Sequence, residues 1–78
     1  MAAVTLGDRI VADPEILGGK PVIAGTRISV ELVVGLLGRG MTLDDITAEY
    51  HVPREDVLAA VRFAAKAVGR DAYLTPTR

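Results

Sequence analysis

The chain has 78 residues, no cysteine, 9 basic against 10 acidic side chains, and hydrophobic residues at half its positions although only 4% are aromatic. That composition describes one small domain with an aliphatic core, and it excludes disulfide staples and thiolate metal sites. A net charge of −1 excludes attraction to nucleic acid by overall charge, leaving only local segregation or a dimer that pools basic faces.

A domain of this length hides only about 60% of its unfolded surface, so the apolar surplus calls for a second copy or a standing partner. No apolar run approaches the ~20 residues that span a bilayer, and no basic-then-apolar leader opens the chain. The expected setting is the cytoplasm, with no membrane contact.

Residues 1–8 carry no periodicity and read as a lead-in. Residues 9–69 read as a single domain, made of a hairpin over 9–28 and a trihelical unit over 29–69, and residues 70–78 read as a C-terminal tail. Arg9–Ala12 predicts a short strand, stopped at Asp13-Pro14 because proline cannot donate to a ladder. Gly18-Gly19 opens backbone angles closed to other residues. Val22-Ile23 and Arg27-Ile28 flank Ala24-Gly25 and predict a tight hairpin, in which Ala24 is a poor first turn residue if positive φ is required there.

Ser29 suits an N-cap and Glu31 the first turn of a helix. Val30, Val33, Val34 and Leu37 then follow the spacing of a buried face. Leu32 and Leu36 make this helix apolar nearly all round, so Leu32, Val33 and Leu36 are candidate dimer-interface residues, and Gly40 fits the left-handed position that closes it. Thr42 with Asp45 predicts a capping box at the start of a second helix, with Leu43, Ile46 and Tyr50 on its buried stripe. His51-Val52-Pro53 is the turn. Pro53 opens a third helix, with Val57, Val61, Ala64, Ala65 and Val68 facing inward and Gly69 as its stop. The expected fold is mainly α: a short N-terminal β-hairpin followed by a three-helix, helix-turn-helix unit.

The second and third helices have the dimensions of a helix-turn-helix. Its groove-reading positions hold Arg54, Glu55 and Asp56, and one cation beside two carboxylates approaches phosphate poorly. Further along, Arg62, Lys66 and Arg70 are spaced by four; such a stripe also completes a helix macrodipole. Arg54, Arg62, Lys66 and Arg70 are the candidate DNA-binding residues, with weak binding expected.

Gly19-Lys20 is not a phosphate loop, since Pro14 stands where the first glycine belongs and Pro21 where Ser or Thr belongs. The single histidine, His51, has no carboxylate or thiolate at ligand spacing, so neither a metal nor a cofactor is expected. Thr26-Arg27 has no base beside it. It reads as a satisfied turn threonine with an arginine paired to Asp13 or Glu15, or equally as a partner contact. No nucleophile, base and orienting group converge, so neither an enzyme nor a small-molecule substrate is expected.

Asp13-Pro14, Gly18-Gly19-Lys20-Pro21, Ile23-x-Gly25-Thr26-Arg27-Ile28, Val30, and Gly40-Met41-Thr42 followed by Ile46 and Tyr50 form a distinctive set. Across Ile10 to about Val68 the chain resembles the domain-of-unknown-function family 433. The resemblance implies a homeodomain-like, helix-turn-helix fold. It also implies the role of an antitoxin-like member of a type II toxin–antitoxin module, beside a PIN-like ribonuclease. Lys20, Thr26 and Arg27 are the candidate partner-binding residues. Many members carry Pro where Ser29 stands, and their turn before the third helix differs from His51-Val52-Pro53. The expected protein is a non-enzymatic, antitoxin-like homodimer that binds its toxin and regulates its own operon through the helix-turn-helix. The alternative is a dimeric structural or protein-interaction module without DNA binding, which Glu55, Asp56 and the near-neutral charge favour.

Overall fold

A computed structural model describes residues 2–70; of the expected tail, residues 71–78 lie outside the described residues. Three short strands, β1 (Val4–Gly7), β2 (Ile10–Ala12) and β3 (Val22–Ile23), precede three helices, α1 (Val30–Gly38), α2 (Leu43–Tyr50) and α3 (Arg54–Gly69). The sheet is antiparallel and keeps chain order, with Val4 opposite Ala12 and Ile10 opposite Ile23. The architecture is the expected one, mainly helical behind a small N-terminal sheet. The sheet, however, has one strand more than a hairpin. Part of the expected lead-in over 1–8 is β1, an edge strand whose Val4 and Leu6 stay exposed. With neither face buried, it has no alternation for a sequence reading to detect.

The turn after β3 sits at Ala24-Gly25. The Ile23 carbonyl accepts from the Thr26 N–H at 3.0 Å, and Gly25 has φ +79°. Positive φ thus falls on the second central residue, as in a type II turn, and Ala24 is not asked to adopt it. The returning arm is not a full strand: Ile23 N–H donates to the Ile28 carbonyl at 2.9 Å, and a single bridge joins Val22 to Ser29.

Ser29 caps α1 by accepting the Leu32 N–H at 2.9 Å. The face of α1 turned to the core is Val30, Val33, Leu36 and, half-buried, Leu37, whereas Val34 points outward. Gly40, at φ +104°, closes the helix in a Schellman arrangement, with Met41 N–H reaching the Leu36 carbonyl and Gly40 N–H reaching that of Leu37.

The capping box of α2 forms as its residues predict: Asp45 N–H donates to Thr42 Oγ1 and Thr42 N–H to Asp45 Oδ2, each at 3.0 Å. The hydrogen bond from the Thr42 backbone holds the Asp45 carboxyl below its ordinary range. A depressed carboxylate stabilises the fold above its unfolded pKa, near 4, and that contribution is lost as pH falls through the folded value. Thr42→Ala is expected to cost about 1 kcal/mol. The Tm deficit of Asp45→Ala should shrink as the pH is taken below about 4, measured by thermal melts of wild type and variant at several pH values.

The core joins sheet and helices through Ile10, Ile23, Val33, Ile46, Val52 and Val57, closed by Ala59 and Ala60 of α3. Val61, Phe63 and Ala64 pack on its margin. Ala65 and Val68, expected inward, are exposed. The inward set moves toward the start of α3, where Val57, Ala59 and Ala60 are buried.

Candidate nucleic-acid and partner interface

Ile46 on α2, Val52 in the turn and Val57 on α3 are all buried in the common core, and their packing fixes how α3 is presented. His51 ends α2 in the left-handed conformation at φ +55°, which reverses the chain within the short turn. Pro53 takes the N-cap position of α3, so the start of that helix is pre-set by the ring.

The three residues at the start of α3 separate in role. Arg54 is exposed and sits 3.5 Å from Asp44 Oδ1, a loose pair between two largely solvated groups. Glu55 is exposed. Asp56 turns back onto the domain: its Oδ1 accepts from Arg9 at 2.6 Å, and only 14% of its side chain is exposed. The hydrogen bond to Asp56, and then the carboxylate's charge, raise the Arg9 pKa further above its ordinary value. Arg9 holds φ +66° in the turn between β1 and β2, so this pair ties the hairpin to the first turn of α3. The expectation that both carboxylates confront phosphate is therefore corrected for Asp56. Its partner lies 47 positions away, too far for any local pattern to reveal it.

Arg62, Lys66 and Arg70 come together on the side of α3 next to that hairpin. They border a hollow of about 170 Å³ floored by Gly7, Phe63 and Ala67. Arg62 is 3.7 Å from Asp8 Oδ2 at the hairpin tip; Lys66 and Arg70 make no ion pair among the described residues. The arrangement can offer two or three cations to a phosphate chain.

The candidate partner residues do not form one site. Lys20 Nζ lies 2.8 Å from Glu31 Oε1, and that bond holds the Glu31 carboxyl below its ordinary range. Thr26 Oγ1 donates to the Ile23 carbonyl at 2.8 Å and accepts the Ile28 N–H at 3.0 Å, so it staples the turn. The expected pairing of Arg27 with Asp13 or Glu15 does not form. Asp13 instead accepts the Glu15 backbone N–H at 2.9 Å, and Arg27 is exposed with no ion pair among the described residues.

Of the candidate dimer residues only Leu32 is exposed. Val33 and Leu36 belong to the protomer's own core, because α1 packs chiefly on α3 and also on α2. Val34, which the spacing had placed inside, takes the outer position instead. Among the described residues no cluster of three or more His, Cys, Asp or Glu is placed to hold a metal ion. Nor is any helix long and apolar enough to cross a membrane.

The model of the family described as "Protein of unknown function (DUF433)" matches residues 10–64, well over half of the chain. The chain belongs to the DUF433 family. In this member the matched span runs from β2 to the middle of α3, through Arg54 and Arg62, and leaves Lys66 and Arg70 beyond its end. No curated protein and no solved structure matches this DUF433 chain.

Proposed function

We propose that this DUF433 protein is a non-enzymatic, antitoxin-like regulator that binds a PIN-like nuclease and contacts operator DNA through α3. The observation that carries the reading is the outward row Arg62, Lys66 and Arg70, with Asp56 withdrawn into its pair with Arg9. Neutralising a few phosphates in this way gives weak binding that falls steeply with salt. Arg54 is the residue at the start of the helix able to supply a bidentate donor to a base edge. Arg27, exposed on the turn after β3, is the remaining candidate for the nuclease contact, since Lys20 and Thr26 are engaged within the chain.

The test is a fluorescence-anisotropy titration on the chain's own upstream DNA and on scrambled DNA, at two salt concentrations, with and without the co-expressed neighbouring nuclease. Lys66→Ala should weaken both DNAs alike and reduce the salt slope by about one, whereas Arg54→Ala should cost about 1–3 kcal/mol on the upstream DNA alone. Tight upstream binding indifferent to both variants would remove α3 as the contact. A second reading, an interaction module without DNA binding, draws on exposed Glu55 and on Asp44 beside Arg54. Absence of binding to either DNA, with the nuclease present, selects it.

A further inference from the structure

The outer face of α1 carries Glu31, Leu32, Val34, Gly35 and Gly38, with Arg39 at its C-cap. Leu32 and Val34 are 36% and 41% exposed, so this face carries apolar as well as charged side chains. They flank Gly35, each on the wall of a different hollow: Val34 borders one shared with Phe63, Ala64 and Val68 of α3, and Leu32 one shared with Leu36 and Arg39. Gly35 lines both hollows. A Cβ placed on it would meet nothing within 4 Å, so nothing in the protomer requires glycine there, although a mid-helix glycine costs about 1 kcal/mol relative to alanine.

The charges on this face are arranged symmetrically about that glycine. Glu31 lies four residues before it and Arg39 four residues after it, about 12 Å apart along the axis and on one side of the helix. Arg39 makes no ion pair among the described residues, whereas Glu31 already holds Lys20 of its own chain at 2.8 Å through Oε1, and its Oε2 is the oxygen left to accept a second cation. A second α1 laid antiparallel across Gly35 would bring each Glu31 opposite the Arg39 of the other copy. Residue i meets j and j meets i, the pattern a twofold interface demands.

We propose that the outer face of α1 is a twofold interface with a second copy of this chain, centred on Gly35 and closed by two reciprocal Glu31–Arg39 ion pairs. The proposal does not rest on the DNA or nuclease reading, and its test reads mass alone. Sedimentation equilibrium of the full chain at micromolar concentration should give a dimer. Glu31→Arg and Arg39→Glu each place like charges across both contacts, and each should raise the dimer Kd at least tenfold. Mixing the two single variants in equal amounts should restore the dimer, since every facing pair is then opposite in sign. The chain bearing both substitutions together with Lys20→Glu, which keeps the pair within the chain opposite in sign, should dimerise like wild type, and it carries the test if either single variant fails to fold. A monomeric wild type, or single variants that dimerise unchanged, would overturn the proposal. So would failure of both the mixture and the triply substituted chain to recover.

Discussion

Val33→Asp is expected to unfold the domain, whereas Leu32→Asp, one position away, should leave the fold intact. Val33 is fully buried, packed in the cluster that joins the sheet to α1 and α3. An unpaired carboxylate there has no cation and no water, and its burial costs several kcal/mol. A small domain has a total margin near the low end of about 5–15 kcal/mol, so one such group consumes most of it. Leu32 is exposed on the outer face, where a carboxylate stays hydrated. Urea denaturation followed by circular dichroism at neutral pH separates the two. A folded Val33→Asp chain would return Val33 to the intermolecular surface that the apolar pattern of α1 first suggested.

Gly25→Val should lower stability by about 1–3 kcal/mol, through the backbone rather than through packing. At φ +79° a β-branched side chain is strained, and there is open space around the site, so volume is not the obstacle. For a domain of this length each kcal/mol corresponds to a Tm shift of roughly 4–8 °C. Gly25→Asn should cost less, because asparagine visits the left-handed region more readily. Equal losses for Val and Asn would show that the turn depends on something other than φ. The same turn holds Thr26 and Ile28 against β3, so its loss should also loosen the entry to α1.

How much of the site could be read in advance depends on the range of the interaction. The Arg62–Lys66–Arg70 row was visible because a spacing of four fixes a common helix face. The fate of Asp56 was not, because its partner Arg9 is brought to it only when the hairpin folds onto α3. Thr26 was legible as a turn staple, since its two hydrogen-bond partners lie within three residues. The pairing foreseen for Arg27 was not realised: Asp13 accepts the neighbouring Glu15 N–H, and Arg27 makes no ion pair among the described residues.

The sequence by itself determined whatever depends on neighbours within a few residues. That includes the caps Ser29 and Thr42–Asp45, the glycines at 25 and 40, the stripe Leu43–Ile46–Tyr50 and the order of three helices behind a small sheet. Tertiary structure decided which side of α1 faces inward, because a helix apolar nearly all round offers several faces of similar hydrophobicity. The choice fell to α3, on which α1 chiefly packs, and it took Val33 and Leu36 and left Leu32 and Val34 outside. It also decided that Val4–Gly7 is a strand, since an exposed edge is held by backbone hydrogen bonds and leaves no mark in the side-chain pattern.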